Sequence, residues 1–210
     1  MSKKIYLVLI AAVLTVNYAQ AQFAFGVRAG LNLANMKMES GNYGAMSPDM
    51  RIGVQLGVVG DATLSETFSL QPGVLFAQQG CKFDMSSTSM TMCVNYIQIP
   101  VNAQYNVDLG NMKLLLRAGP YLGYAVIGNL KSKVNNKTSS TELDFGGDDG
   151  YLNRFDFGLG FGAGLQFGRV QVDLGYNIGL ADIGNHTDNF IYKTKNNGLV
   201  LAVSYFWRKN

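Results

Sequence analysis

The stretch Phe155–Phe167 (FDFGLGFGAGLQF) alternates strictly between two kinds of residue. Its odd positions carry aromatic or aliphatic side chains, and its even positions carry glycine, with Asp156 and Gln166 at the two ends. Alternation with a period of two is the pattern of a β-strand with two unlike faces. An apolar face of this size must either be buried in a core or face lipid, and this choice determines the fold.

Seven other segments show the same alternation, and each is about ten residues long or slightly longer, as a tilted transmembrane strand requires. They are residues 23–35, 50–59, 68–80, 96–107, 113–128, 170–180 and 198–207. The segment 68–80 is the least regular, because Leu75 and Ala77 fall on its polar face. Pro72, Pro100 and Pro120 lie inside three of the segments, and we expect a bulge or a bend at each because proline has no N–H to donate.

The connections between these segments alternate in length. Long polar connections cover 35–49, 81–95, 129–154 and 181–197, whereas 60–67, 108–112 and 168–169 are short. Long loops at one end and short turns at the other are typical of outer-membrane barrels. The sequence therefore predicts an all-β fold: an eight-stranded antiparallel up-and-down transmembrane β-barrel, whose closure leaves no sheet edge open to lipid. An even number of strands places both termini on the short-turn side, which would be the periplasm.

The N-terminus has the composition of a targeting segment. Lys3 and Lys4 precede an apolar run at 5–16, and Ala19-Gln20-Ala21 follows as a small-residue cleavage site. The run is too short to cross a bilayer as a helix. We predict a signal peptide at residues 1–21, cleaved after Ala21, and one barrel domain at residues 22–210. Only 15% of residues are charged and the formal net charge is +3, so nothing in the composition indicates nucleic-acid binding.

A soluble lipocalin-like barrel with the two faces exchanged is the alternative architecture. It would expose Arg28, Asp156 and Asp173 together with the glycines, and it would fill its interior with Phe, Leu, Ile and Val side chains. Glycine contributes nothing to an outer surface, whereas on a narrow inner surface it leaves room for larger side chains opposite. The glycine row therefore favours the membrane barrel.

Five segments of the chain carry a family resemblance: FGVRAGLNLANM, LQPGVLFAQQG, YIQIPVNAQYNV, LLLRAGPYLGY and the closing VSYFW. Together they resemble the outer-membrane β-barrel domain family of Bacteroidetes, the "porin family" or PorT-like proteins, over residues 23–207. The architecture is similar to that of OmpA and OmpX barrels. The resemblance implies an outer-membrane location and eight strands, and it implies no reaction. Tyr205, Phe206 and Trp207 resemble the C-terminal signal that the barrel-assembly machinery recognises, although the tail 208–210 departs from the usual aromatic last residue.

Charged residues on the polar face form a candidate network inside the barrel: Arg28, Arg51, Arg117, Asp156 and Asp173. Strand direction places Arg51 and Asp156 near the loop end and the other three nearer the short turns. Because buried charges must be paired or solvated, we expect an upper Arg51–Asp156 pair and a lower cluster of Asp173 with Arg28 and Arg117. Such a network would plug the narrow interior. The alternative is that each charge is hydrated separately in a small wet cavity.

Cys81 and Cys93 flank the second long connection and are candidates for a disulfide in an oxidising compartment. Strand parity places Cys81 toward the lumen and Cys93 on the outside, so a bridge requires the strand register to lapse there. Two free thiols are the alternative.

Three further patterns have weaker interpretations. Residues 158–163 formally match G-x-G-x-x-A, but a dinucleotide site needs a strand-to-helix turn, and no helix follows. His186 is the only histidine, and a solvated loop residue is favoured over a catalytic one. Asp144, Asp148 and Asp149 favour a flexible acidic loop over a Ca²⁺ site.

The sequence thus predicts an integral outer-membrane barrel with a structural or surface-interaction role and no catalysis, cofactor or metal. We expect it to contact outer-membrane lipid, the barrel-assembly machinery during biogenesis, and an unidentified partner through long loops such as 36–50 and 85–92. The alternatives are a small-solute pore and a component of an outer-membrane secretion or gliding machine, the second on the resemblance alone.

Overall fold

The computed structural model describes residues 23–40, 44–46, 48–85, 88–134, 137–146, 152–184 and 193–207. The strands within them are β1 (Phe23–Ser40), β2 (Gly44–Met46), β3 (Asp49–Thr63), β4 (Phe68–Met85), β5 (Thr88–Asp108), β6 (Lys113–Val134), β7 (Lys137–Glu142), β8 (Phe155–Phe167), β9 (Val170–Gly179) and β10 (Lys193–Trp207). In this part of the chain no helix is long and apolar enough to cross a membrane.

Eight of these strands form a closed ring. Neighbours follow the order β1, β3, β4, β5, β6, β8, β9 and β10, and the pairing of β10 with β1 completes the circle. All neighbours in the ring are antiparallel. The short strands β2 and β7 extend the sheet at the ends of β1 and β6. The fold is therefore the eight-stranded up-and-down barrel that the alternation predicts.

The eight predicted segments correspond one to one to the ring strands, and β8 has the predicted bounds. Several strands extend further than predicted at the loop end. The β4–β5 hairpin continues to Met85 and resumes at Thr88, and β6 continues to Val134. Beyond the membrane a strand can be polar on both faces, so the alternation disappears from the sequence while the backbone pairing continues.

Of the bulge or bend expected at each of Pro72, Pro100 and Pro120, the bulge is absent. Pairing is interrupted briefly after Pro72 and Pro100, where the N–H is missing, and resumes in the same register. Pairing of Pro120 with β8 is continuous. Register shifts occur instead in β3 between Met50 and Gln55 and in β6, where Val126 is the extra residue opposite the step from Asn95 to Tyr96.

The apolar face of the ring strands points outward and the polar face points inward. Phe25, Leu56 and Phe155 are 67%, 61% and 63% exposed, whereas Arg28 and Asp173 are 4% and 0% exposed. This orientation contradicts the lipocalin-like alternative, which requires the opposite arrangement. The outward faces form an apolar band around the barrel, as a lipid environment demands.

Aromatic side chains lie at both ends of the apolar band, and Phe161 and Tyr176 form a further pair at its middle, with ring centroids 6.0 Å apart. Edge-to-face ring pairs at the short-turn end, with centroids 4.7, 5.1 and 5.4 Å apart, are Phe23 with Phe25, Phe68 with Tyr105 and Tyr205 with Trp207. At the loop end Tyr124 packs against Phe155 at 5.1 Å, with the Arg154 guanidinium 6.0 Å from the Tyr124 ring. Aromatic girdles at both lipid interfaces are typical of membrane barrels.

Candidate functional site

The glycines of β8 leave space for side chains of the adjacent strands. A methyl group at Gly158 would lie 2.7 Å from the ring of Tyr121 on β6. A methyl group at Gly164 would lie 2.6 Å from a carboxylate oxygen of Asp173 on β9. The inward face of β8 therefore carries few side chains, because larger polar side chains from β6 and β9 occupy the space in front of it.

The half of the interior nearer the short turns holds three charges. Arg28 Nη1 donates to Asp173 Oδ2 at 2.9 Å and to Ser204 Oγ at 3.2 Å. Arg117 Nη1 lies 3.6 Å from the same oxygen of Asp173. The structure thus brings together the three residues that the sequence analysis grouped, from β1, β6 and β9, and their side chains are almost inaccessible.

A layer of glutamines connects this cluster to the opposite wall. Gln171 Nε2 donates to Asp173 Oδ1 at 2.8 Å, and Gln71 Nε2 donates to Gln171 Oε1 at 3.2 Å. Gln104 Oε1 accepts from Gln171 at 3.5 Å, and Gln104 Nε2 donates to Ser69 Oγ at 3.2 Å. Strand parity places all three glutamines inside, but these contacts across the barrel depend on the stagger of strands that are not neighbours. This layer could therefore not be predicted from the sequence pattern.

A second buried group lies nearer the loop end. Asp156 Oδ2 accepts from Asn196 Nδ2 at 3.0 Å and from the Tyr121 hydroxyl at 3.4 Å. Asn196 Nδ2 also donates to the Tyr96 hydroxyl at 3.2 Å. Asn196 was missed because it lies in a stretch that the sequence analysis treated as a loop, where the alternation carries no information.

The predicted pair between Arg51 and Asp156 is not formed, which corrects the sequence analysis. Arg51 Nη1 donates instead to the backbone carbonyl of Gln79 at 3.4 Å, on the neighbouring strand β4. Arg51 on β3 and Asp156 on β8 lie on opposite sides of the ring. The hydrogen bond from Asn196 on β10 to Tyr96 on β5 crosses the barrel between them.

An apolar cluster closes the loop end of the interior. Its buried members are Met36, Cys81, Val94, Tyr96, Ala125, Leu143, Leu152, Ala181 and Ile183. Leu143, Leu152 and Ile183 belong to connecting segments, and Leu152 forms backbone bridges with Phe145 and Gly184. The segments after β7 and β9 therefore fold over the mouth of the barrel.

A cavity of about 40 Å³ remains inside the barrel, and its lining includes Arg28, Gln55, Arg117 and Tyr121. One water needs roughly 10–15 Å³ of such space, so the cavity holds a few small molecules or ions at most. Side chains therefore fill much of the described part of the interior.

Cys81 and Cys93 are free, buried thiols, and the predicted disulfide is not formed. The strand register is continuous here, since Gly80 faces Cys93 and Cys81 faces Met92. The two cysteines are thus offset by one residue, which places their side chains on opposite faces of the sheet. Cys81 packs in the apolar cluster, whereas Cys93 Sγ donates to Asn95 Oδ1 at 3.9 Å.

The remaining sequence motifs define no further site in the described residues. Residues 158–163 lie within β8, which a two-residue turn joins to β9, so the G-x-G-x-x-A match has no following helix. Asp182 Oδ1 accepts the backbone N–H groups of Gly184 and Thr194 at 3.0 Å and holds the segment after β9 in place. Outside the described residues lie 1–22, Asp148, Asp149, His186, Asp188 and 208–210.

A closed ring with a polar interior, an outward apolar band and two aromatic girdles defines a transmembrane β-barrel. The model of the family described as outer membrane protein beta-barrel domain matches residues 18–185, which is most of the chain. The chain belongs to this family and is an outer-membrane β-barrel protein.

Solved barrels are similar to this chain at low sequence identity. The attachment invasion locus protein Ail of Yersinia pestis is 14% identical, with a TM-score of 0.43 over 89% of this chain and 99% of Ail. Neisserial surface protein A is 18% identical, with a TM-score of 0.43 over 86% of this chain and 96% of that protein. A major outer membrane protein from Thermus thermophilus is 15% identical, with a TM-score of 0.45 over 88% of this chain and 99% of that protein. No curated protein matches the chain.

Proposed function

We propose that this chain is a non-conducting, non-catalytic barrel of the outer membrane whose loop end contacts a partner outside the cell. The observation that supports the proposal most is that side chains fill the described interior. A solute would have to displace the apolar cluster at the mouth and then break the hydrogen-bonded layers beneath it. The polar side chains of those layers bond to one another and do not line a cleft open to a substrate.

The loop-end strands supply the surface for such a contact. All six residues of β7 are exposed, and in the described part of the chain β7 pairs with β6 alone. Its outer edge is therefore available for pairing with another chain. On the β4–β5 hairpin, the exposed Asp84 carboxylate accepts hydrogen bonds from Lys82 and Ser89 at 2.5 and 2.6 Å. The Lys82 bond holds the pKa of the Asp84 carboxyl below its ordinary value.

Export and orientation are part of the same proposal. A signal peptide at residues 1–21 would deliver the chain, and the short-turn end, where Phe25 pairs with Trp207, would face the periplasm. The outward rings of Tyr205 and Trp207 are accessible to the barrel-assembly machinery. Membership of the Bacteroidetes PorT-like branch rests on the resemblance of the sequence segments.

Planar-bilayer recording tests the closed interior. The refolded protein is expected to give no discrete conductance steps. In a Tyr96→Ala variant, which lacks the side chain that crosses the barrel, the appearance of steps would show that the assay detects an opened lumen. Discrete steps from the wild-type protein would contradict the proposal and support the small-solute pore.

Photo-cross-linking tests the surface contact. A cross-linking side chain at Ser140 of β7 is expected to capture an outer-membrane or extracellular protein in cells. The same group at Glu66, in the short turn between β3 and β4, is the matched control and should not capture it. Identical products from both positions, or none from Ser140, would contradict a partner at the loop end.

A further inference from the structure

A cluster of three charged side chains in the half of the barrel interior nearer the short turns carries a net positive charge. Arg28 and Arg117 approach the same carboxylate oxygen of Asp173, at 2.9 and 3.6 Å. The other oxygen of Asp173 accepts from the neutral Gln171. Two guanidinium groups and one carboxylate leave a net charge of +1. Because the three side chains are 5%, 9% and 0% exposed, water outside the barrel cannot solvate that charge.

Two donor side chains at the adjacent cavity, Gln55 and Arg117, have unsatisfied or weakly satisfied N–H groups. Gln55 Nε2 is buried and has no hydrogen-bond acceptor among the described residues. Arg117 has an ion-pair partner in Asp173, at 3.6 Å, and no shorter hydrogen bond to a described residue. Both side chains line the cavity of about 40 Å³, together with Arg28. The Arg117 guanidinium packs close to Gly175, because a methyl group at this position would lie only 3.2 Å from Arg117 Nη2.

We propose that this cavity binds one monovalent inorganic anion of halide size, such as chloride, between Arg117, Gln55 and Arg28. The anion accepts the N–H groups that lack an acceptor and brings the buried cluster to neutrality. It forms part of the folded barrel, as a structural ion inside the interior.

Charge and volume together select this ligand. Water alone would satisfy the donors but would leave the positive charge uncompensated. Two other carboxylates are buried in the barrel. Asp156 bonds to Asn196 and Tyr121, and Asp61 lies further toward the short-turn end of β3. Neither forms an ion pair with Arg28 or Arg117, whose ion-pair partner is Asp173. The cavity exceeds the roughly 10–15 Å³ that one water requires, so a small ion fits, whereas an organic anion such as gluconate does not.

Thermal unfolding of the refolded protein in a neutral detergent tests the site. Chloride replaces gluconate stepwise at constant ionic strength, and the unfolding temperature is expected to rise by about 2–4 °C and then to saturate. Arg117→Met removes the excess charge and should abolish this dependence on chloride. Lys113→Met removes a cation at the short-turn end of the same strand and should preserve it. The proposal would be overturned if the unfolding temperature of the wild type did not change with chloride. It would also be overturned if the unfolding temperature of Arg117→Met rose with chloride as much as that of the wild type.

A second variant separates charge from packing. Gln55→Glu places a carboxylate at the cavity, so the barrel should be at least as stable as the wild type in gluconate and should no longer respond to chloride. Crystals grown in bromide should show one anomalous peak in the cavity of the wild type and none in Gln55→Glu. A wild-type crystal without that peak would refute an anion at this site.

Discussion

Single residues on the inner wall are constrained by what lies opposite them. A glycine in a strand usually weakens it, because it has no side chain to pack. In β8 the absent side chain is required, since neighbouring strands fill the space with Tyr121 and Asp173. The charges obey a similar rule: Asp173 is stable inside the barrel because Arg28 and Gln171 bond to its two oxygens.

The first prediction concerns the glycine row. Gly158→Ala should destabilise the barrel by about 1–3 kcal/mol, because the new methyl group would clash with the Ile178 carbonyl and the Tyr121 ring. Gly123→Ala is the matched control. The nearest atom to its methyl group would be a Tyr96 ring carbon at 3.2 Å, so we expect a loss below about 1 kcal/mol. Urea unfolding in lipid vesicles measures both, and equal losses would contradict a packed interior around β8.

The second prediction concerns the buried carboxylate. Asp173→Asn leaves Arg28 and Arg117 without a counter-charge, and breaking a buried pair in this way costs about 3–5 kcal/mol. Glu66→Gln, in an exposed turn, should change stability by less than about 0.5 kcal/mol. The temperature at which the folded band converts to the unfolded band in electrophoresis measures the stability of both variants. If Asp173→Asn matched Glu66→Gln, the charges would be hydrated separately.

At the scale of the element, strand identity and face were predictable and cross-barrel contacts were not. Period-two alternation assigned every ring strand and its inward face, because lipid on one side imposes it. The extension of β6 to Val134 was missed because water beyond the membrane imposes no pattern. The partners of Arg51 and Asp156 were missed for another reason: they depend on the stagger of non-adjacent strands, which parity does not encode. The predicted disulfide between Cys81 and Cys93 is not formed, because it required a shift in the pairing of β4 with β5 and this pairing is continuous there.

The third prediction follows from the outward face of β9. Leu174 is 58% exposed near the middle of this strand, and Leu174→Arg should cost about 2–4 kcal/mol in a bilayer. Val170→Arg, on the same face at the short-turn end, should cost about 0–1 kcal/mol because the side chain reaches the interface. Urea titration in vesicles compares the two. A larger loss at Val170 than at Leu174 would contradict the assigned depth.

The described part of the molecule combines an apolar exterior with a polar interior that side chains largely fill. Its outward band lies between two aromatic girdles, and its mouth is covered by segments that follow β7 and β9. An eight-stranded barrel is just wide enough for side chains, and here they fill much of the described interior. The extended strands and loops are where the partner contact that we propose would be made.

The central claim is that the apolar faces of the ring strands contact lipid while the interior is closed to it. Methyl NMR of the barrel in nanodiscs that carry a spin-labelled fatty acid tests this directly. The outward methyl groups of Leu56, Leu159 and Leu174 should be strongly broadened, and the inward ones of Leu75, Leu115 and Val200 should be unaffected. Broadening of the second set instead of the first would contradict the account.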